Sequence, residues 1–347
     1  MNLNFYIFGI FIIPLFMLVS FKLSKFFKIY DYPDQKRKIH LRPIPLVGGI
    51  FFTMIMLFIF ICSVLLLNND SNLTINNFNN NLIILISLSL VFIVGLYDDL
   101  KNIGALIKLS VIFLILFITF NFIDDSYVVS DLVFFNNFYI STSYYAPLVT
   151  AILLLFLINA FNMIDGIDCL ASIISLIWIA LLNLFIPFND FYFFTNIILI
   201  CSLILFIYLN FNKKCFLGDG GSFILSLYVS FLTIYTYNSN INLETNYLLN
   251  VESIFLLFLI PGVDMFRLFL VRIKKKKNPF KADSDHLHHH LLNNFGNSFT
   301  LIIYSALVFI PWFVYYFYNF VLPYLIVSMI AIYYYLLINY NKNEKKN

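Results

Sequence analysis

Long apolar runs separated by short polar stretches dominate this sequence. We count eleven runs, each near the roughly 20 residues that an α-helix needs to cross the hydrocarbon core of a bilayer. They cover residues 4–22, 46–67, 82–97, 103–122, 146–161, 170–188, 191–209, 221–236, 250–270, 299–318 and 321–340. The pattern predicts an all-α, polytopic membrane protein with about eleven transmembrane helices, forming one domain over residues 1–347.

The composition supports a membrane protein over a soluble one. Hydrophobic residues make up 61% of the chain and charged residues only 11%, whereas a soluble domain carries about 25% charged residues. The first run lacks a small-residue cleavage site and its basic residues follow the apolar core, so we expect a retained span rather than a signal peptide. The four cysteines show no paired spacing that would indicate disulfides or zinc.

The basic residues predict the orientation. With eleven spans, all 21 Lys and Arg residues fall on one side of the membrane or at span ends that face it. The positive-inside rule makes this side cytoplasmic, with the N-terminus outside and the C-terminus inside. Five polar clusters lie on the same side, in the loops 23–45, 98–108, 159–169, 210–222 and 264–298.

The first two clusters are ambiguous when taken alone. The stretch DYPDQKRKIHLRPIPLVGG, with Lys38 and His40, is explained most simply as a basic segment attracted to anionic lipid head groups. Asp98 and Asp99 form an adjacent pair, followed by Lys108. Adjacent carboxylates repel unless a cation neutralises them, and Mg²⁺ prefers carboxylates together with substrate phosphates. A solvated loop is nevertheless the simpler interpretation of the pair.

The third cluster favours function. Two amides and two acids recur at three-residue intervals, at Asn159, Asn162, Asp165 and Asp168. A continuous helix would turn the first and last to opposite sides, so the four converge only if the helix breaks, for which Gly166 is a plausible place. An acid at mid-bilayer costs ~2.5–3.5 kcal/mol, and helix capping accounts for one or two of these residues rather than four.

The fourth cluster, GDGGS, surrounds Asp219 with glycines, and we expect Ser222 to open a span. A Gly-rich turn before a helix presents N–H groups to an anion, and an acid within it suggests a bridging cation. An ordinary turn explains the cluster equally well.

The fifth cluster contains Asp264 and Arg267, which can pair on one helix face, and a run of histidines. On a helix, His286, His289 and His290 would share a face while His288 would point away. The histidines suit zinc or a diphosphate, and the sequence leaves both open. Together, the five clusters supply what an anionic, metal-bound substrate needs at the inner membrane face.

The motifs, taken in order, resemble those of the polyprenyl-phosphate N-acetylhexosamine-1-phosphate transferases, a family of the glycosyltransferase family 4 type. The resemblance rests on RKIHLRPIPLVGG, the Asp98–Asp99 pair, NAFNMIDGID, GDGGS and HLHHHLL. PIPLVGG and DSDHLHHHL look more like the undecaprenyl-phosphate GlcNAc-1-phosphate transferase branch than the MurNAc-pentapeptide branch. Cys169 departs from the pattern, because glycine is usual there.

The resemblance implies transfer of a HexNAc-1-phosphate from a UDP-sugar to undecaprenyl phosphate at the bacterial inner membrane, with release of UMP. This would be the first membrane step of O-antigen, common-antigen or teichoic-acid-type synthesis. The implied catalytic residues are Asp98, Asp99 and Asp219, of which Asp99 and Asp219 would hold Mg²⁺, with Mn²⁺ as an alternative ion. The implied substrate-binding residues are Lys38, His40, Lys108, Asn159, Asn162, Asp165, Asp168, Arg272, His286, His288, His289 and His290.

The expected partners are undecaprenyl phosphate, a UDP-N-acetylhexosamine and inner-membrane lipids, with no nucleic acid. The resemblance also suggests a homodimer, which no feature of the sequence itself indicates. Three alternatives stay open: a phospho-MurNAc-pentapeptide transferase, an ion-coupled transporter and an envelope scaffold. The transporter is the remote one, because the polar groups gather at one face and no internal repeat is visible.

Overall fold

The computed structural model describes residues 3–33, 42–67, 75–134, 138–188, 190–241, 249–279 and 285–344. Eleven α-helices account for most of this part of the chain. They are α1 Leu3–Phe26, α2 Gly48–Leu67, α3 Ile75–Lys101, α4 Ala105–Phe122, α5 Ala146–Ile164, α6 Leu170–Asn183, α7 Phe191–Phe211, α8 Gly218–Ile241, α9 Val251–Lys274, α10 Leu287–Phe317 and α11 Leu322–Glu344.

Two short antiparallel hairpins complete the described structure. Strand β1 (Tyr30–Asp31) pairs with β2 (Ile44–Pro45), and β3 (Asp131–Phe134) pairs with β4 (Phe138–Ser141). Just after β2, Leu46 forms a bridge with Phe216. The chain entering α2 is therefore fixed beside the start of α8.

Each of the eleven apolar runs in the sequence contributes one helix, although one of these helices is too short to cross a membrane. Ten of the described helices are long and apolar enough to cross a membrane. The exception, α6, has 14 residues and ends at Asn183. Pro187 follows shortly after and cannot continue a helix, so the apolar residues up to position 188 do not extend α6. The all-α, multi-pass membrane architecture is confirmed.

Helix α8 lies at the centre of the bundle, and 94% of its most apolar stretch of 18 residues is buried. Its neighbours approach closely because glycines face each other. A Cβ added at Gly95 of α3 would lie 2.6 Å from Gly220 Cα, and one at Gly49 of α2 would lie 3.1 Å from Gly221 N. Small residues permit this backbone approach between membrane helices. The start of α8 is thus held between α2 and α3.

Two helix starts differ from the sequence prediction in ways that change the position of site residues. Helix α8 begins at Gly218 rather than at Ser222, so Asp219 lies in the first helical turn rather than in a preceding loop. Helix α10 begins at Leu287, and it contains a break at Gly296 with φ of 76°. Residues 287–298 are therefore mainly helical, although the absence of a long apolar run had predicted a loop.

Candidate active site

Polar side chains from four helices meet near the start of α8. We name Asp98, Asp99, Lys108, Asn162 and Asp219 the acid cluster. The Lys108 ammonium lies 2.6 Å from Asp98 Oδ2 and 2.9 Å from Asp219 Oδ2. One cation thus bridges two carboxylates that are 121 positions apart in the sequence, and it joins α3, α4 and α8 at one point.

Asp99 fixes the first turn of α8. Its Oδ1 accepts a hydrogen bond from Asp219 N at 2.9 Å, and its Oδ2 accepts one from Gly220 N at 3.2 Å. These N–H groups have no partner within their own helix, so a carboxylate from α3 caps α8. Gly218 has φ of 71°, and a Cβ there would lie 2.8 Å from Asp99 Oδ2. Both the left-handed conformation and the close approach favour glycine at this position.

The two amides of the third cluster, Asn159 and Asn162, contact different neighbours. Asn162 donates to Asp219 Oδ1 and to Ser222 Oγ, each at 2.9 Å, so it belongs to the acid cluster. Asn159 instead contacts Met265 Sδ of α9 at 3.2 Å. The predicted helix break is confirmed, because α5 ends at Ile164, just before Gly166.

Asp165 follows this break and adds a further carboxylate near the acid cluster. Loss of hydration raises its pKa, and the negative charges of Asp219, Asp99 and Asp168 raise it further. Asp168 is half-buried in the same turn. The turn after α5 therefore brings two further carboxyl groups to the site.

The donor set of the acid cluster suits a hard divalent cation. Three carboxylates and the nearby Asp165 face a single lysine among the described side chains bonded to the cluster. The available ligand atoms are oxygens, which Mg²⁺ prefers. Asp219 and Asp99 would hold such an ion, since each carboxylate oxygen keeps a second lone pair beside the hydrogen bond it accepts.

A second polar group lies between α9, the start of α10 and α11. We name Asp264, Arg267, His286, His288 and Tyr333 the histidine cluster. Asp264 Oδ2 lies 2.9 Å from His286 Nδ1, and Asp264 Oδ1 accepts from Tyr333 at 2.6 Å and from Arg267 at 3.2 Å. The predicted pairing of Asp264 with Arg267 is confirmed.

The arrangement of the histidines differs from the helical expectation. His286 precedes the helix, with extended φ and ψ of −80° and 150°, so helical spacing does not apply to it. Its ring stacks on His288, with centroids 5.3 Å apart. His290 turns instead to Asp285, at 2.8 Å. The prediction that His286, His289 and His290 share a face while His288 points away is therefore wrong.

The turn after α5 connects the two clusters. A Cβ added at Gly166 would lie 2.5 Å from His288 Nε2 and 3.2 Å from His289 Nε2. The neighbouring Asp165 interacts electrostatically with Asp219 and Asp99. Residues 165–168 therefore lie between the acid cluster and the histidines, which brings four of the five predicted polar clusters into one region.

Arg272 is not part of this arrangement. It is buried near the end of α9 and donates to the Pro279 carbonyl at 2.7 Å. Lys38 and His40 lie outside the described residues.

Sequence reasoning missed two positioning residues. Asn210 of α7 accepts from Cys169 N at 2.7 Å and donates to the Cys215 carbonyl at 2.8 Å, so it ties the turn after α5 to the approach to α8. A polar residue at the end of an apolar run was the available signal. Tyr333 holds both Asp264 and Arg267, but nothing distinguishes it among the many tyrosines of the sequence.

Comparison with known proteins finds similarity to membrane transferases. Residues 81–237 match the model for glycosyl transferase family 4. The chain is 29% identical to an undecaprenyl-phosphate alpha-N-acetylglucosaminyl 1-phosphate transferase of Thermotoga maritima over 82% of this chain and 83% of the relative. It is 26% identical to the enzyme of that name from Salmonella typhimurium over 79% of this chain and 72% of the relative.

The apolar helices and these similarities together indicate a multi-pass membrane transferase. Residues 81–237 are similar to glycosyl transferase family 4, and most of the chain is similar to undecaprenyl-phosphate GlcNAc-1-phosphate transferases. The resemblance to this family and branch, predicted from the motifs, is thereby confirmed.

Proposed function

We propose that this protein transfers an N-acetylhexosamine-1-phosphate from a UDP-sugar, UDP-GlcNAc or a related HexNAc donor, to undecaprenyl phosphate. A phosphate oxygen of the lipid attacks the β-phosphorus, the bond from that phosphorus to the bridging oxygen breaks, and UMP leaves with the electron pair. The observation that carries the proposal is the acid cluster, in which Asp219 lies at the start of a buried helix between Lys108 and Asn162.

The residues of the acid cluster act by positioning and charge. Phosphoryl transfer depends mainly on these two contributions. Lys108 offsets part of the negative charge of Asp98 and Asp219 before substrate enters, and it can turn its remaining donor towards the lipid phosphate. Asp98 lies beside it, although a strong base is unnecessary because a phosphate monoester has a second pKa near 6.

Asp219 and Asp99 are the proposed ligands of Mg²⁺, for which Mn²⁺ is an alternative. When bound, the ion would neutralise diphosphate charge and stabilise the leaving UMP. Asn162 orients Asp219 through the 2.9 Å contact with Oδ1. Ligand orientation of this kind commonly influences metal affinity.

The turn after α5 and the histidines are the proposed surroundings of the nucleotide and sugar. Asp165 and Asp168 lie on this turn, and His289 lies next to Gly166. We place this face of the bundle in the cytoplasm of a bacterium, at its inner membrane, where UDP-sugars are made. The product would start O-antigen, common-antigen or teichoic-acid-type synthesis. The homodimer stays a prediction.

The test is a substrate panel. Membranes containing the protein are incubated with Mg²⁺, undecaprenyl phosphate and, separately, UDP-GlcNAc, UDP-GalNAc or UDP-MurNAc-pentapeptide, and UMP is quantified. We expect UMP release with a HexNAc donor, dependent on the lipid phosphate and abolished by EDTA. Release with the pentapeptide donor alone would favour the MurNAc branch. Absence of UMP with every donor would overturn the proposal.

A further inference from the structure

His288 is buried without the partner that an imidazole in such a position requires. Its side chain is fully buried, and neither ring nitrogen has a hydrogen-bond partner among the residues that the structure describes. Burying a polar group without a hydrogen bond costs free energy. A buried imidazole that keeps both nitrogens free of protein partners is therefore typical of a residue that binds something else.

Two further ligand atoms face the same point. Asp264, His286 and His288 each offer one ligand atom, and these three atoms all lie within 4.8 Å of one another. The His286 and His288 rings are nearly parallel, with an angle of 14° between their planes. Neighbouring ligands on tetrahedral zinc lie about 3.3 Å apart, given bond lengths of ~2.0–2.1 Å. Small side-chain adjustments would bring the three atoms to that separation.

The surroundings of Asp264 are those of a metal-binding carboxylate. Tyr333 donates to Oδ1 at 2.6 Å, and Arg267 donates to the same oxygen at 3.2 Å. Both contacts leave Oδ2 facing the histidines, where it lies 2.9 Å from His286 Nδ1. Ligating carboxylates are usually fixed by hydrogen bonds of this kind. The sequence had left zinc binding open because no such partners could be recognised in it.

We propose that Asp264, His286 and His288 form a binding site for Zn²⁺ or a similar divalent transition-metal ion, separate from the acid cluster. Two imidazole nitrogens and one carboxylate oxygen suit Zn²⁺ or Co²⁺, whereas Mg²⁺ prefers oxygen ligands alone. Three protein ligands leave a fourth tetrahedral position, which water would fill. The ion would connect α9 with the start of α10, beneath the turn that contains Gly166.

The test measures metal content rather than activity. The full chain is purified in detergent through a tag without histidine, stripped with a chelator, incubated with Zn²⁺ alone and desalted, and bound zinc is counted by mass spectrometry. We expect one Zn²⁺ per chain in the wild type, and none in His286→Leu or His288→Leu. His289→Leu is the matched control, because it removes a neighbouring histidine outside the three ligands and should retain the ion.

Two further measurements separate this site from the acid cluster and from misfolding. Asp219→Asn should keep the zinc, and Co²⁺ in place of Zn²⁺ should give the intense visible absorption of a tetrahedral site in the wild type but not in His288→Leu. Elution as a single species checks the fold of each variant. Zinc retained by folded His288→Leu, zinc lost from Asp219→Asn, or no bound zinc in the wild type would each overturn the proposal.

Discussion

The acid cluster and the histidine cluster use similar residue types in opposite ways. In the first, the Asp219 side chain is 28% exposed and is held by one lysine and one amide. In the second, the Asp264 side chain is only 2% exposed and is held by an arginine, a tyrosine and a histidine. The first cluster is accessible and has excess negative charge. The second is enclosed, and both oxygens of its carboxylate contact neighbouring side chains.

This contrast teaches that two acids on consecutive helices can have different primary roles. An accessible carboxylate with spare lone pairs can bind substrate or an ion, and its loss affects activity. An enclosed carboxylate bonded to a buried arginine mainly stabilises the fold, because removing it leaves an unpaired charge. Substitutions in the two clusters should therefore separate stability from activity.

The largest expected effect is on stability, from Asp264→Ala. This change leaves Arg267 without its buried carboxylate partner, and breaking such a pair costs about 3–5 kcal/mol. The midpoint of thermal unfolding in detergent should fall strongly. Tyr333→Phe, which removes only a hydroxyl, should cost about 1 kcal/mol. Equal midpoints for Asp264→Ala and the wild type would remove the basis of the comparison.

The next effect is on activity, from Asp219→Asn. We expect UMP release to fall by about 10²–10³-fold, the size that follows when one charge-stabilising group is removed from an active site. The unfolding midpoint should change little, because a partly exposed ion pair contributes at most ~1 kcal/mol. The rate of UMP release and the midpoint of thermal unfolding are measured on the same preparation. Turnover equal to that of the wild type would contradict the assignment.

Helix packing below the acid cluster should show an intermediate effect, from Gly95→Ala. The added methyl would lie 2.6 Å from the Gly220 backbone, and overpacking of this kind costs about 1–3 kcal/mol. Gly262→Ala is the matched control, because a Cβ there meets nothing within 4 Å. We expect thermal unfolding to show a loss in the first variant and none in the second. Similar midpoints would show that α3 can move away from α8.

The turn between the clusters should make stability depend on pH through Asp165. Since the pKa of Asp165 is raised in the folded protein, its ionisation destabilises the fold as pH rises above the ordinary Asp value of about 3.9. Asparagine does not ionise, so Asp165→Asn should not lose this stability as the pH rises. Its unfolding midpoint in EDTA should match the wild type near pH 4 and exceed it increasingly towards pH 8. A difference independent of pH would argue against the raised pKa.

The smallest effect concerns the same turn, at Cys169. This residue has φ of 70°, a conformation that costs a residue with a side chain about 1–2 kcal/mol relative to glycine. Cys169→Gly should therefore be more stable than Cys169→Ala by about 1 kcal/mol. At most positions the alanine variant is the more stable of the two. The comparison of the two unfolding midpoints is the measurement. An alanine variant as stable as the glycine variant would show that the turn relaxes.

The sequence was a good guide to the helices and a partial guide to the site. Apolar runs define spans because every backbone group in lipid must be paired within the segment, so eleven helices could be expected. Asp98 and Asp219 were recognisable from the order of the motifs, and Asp165 and Asp168 from the cost of acids beside lipid. The bridging position of Lys108 and the support from Tyr333 depend on contacts between distant segments, which local patterns do not encode.

The histidines illustrate why local reasoning can mislead. Helical spacing assigned His286 to one face with His289 and His290, but the helix starts one residue later, and His286 stacks on His288. A shift of one residue in a helix boundary changes which side chains meet. Boundaries are where sequence patterns are weakest, because the final turn depends on tertiary contacts.

Helix α8 has a consequence for how a long lipid substrate reaches the site. Its first turn is fastened to α3 by Asp99, and almost all of its length is enclosed by other helices. Such a helix cannot move independently of its neighbours. Any widening of the bundle that admits the lipid carrier must therefore come from movement of the outer helices. We therefore expect family members to differ in their peripheral helices and connecting segments far more than in this central element.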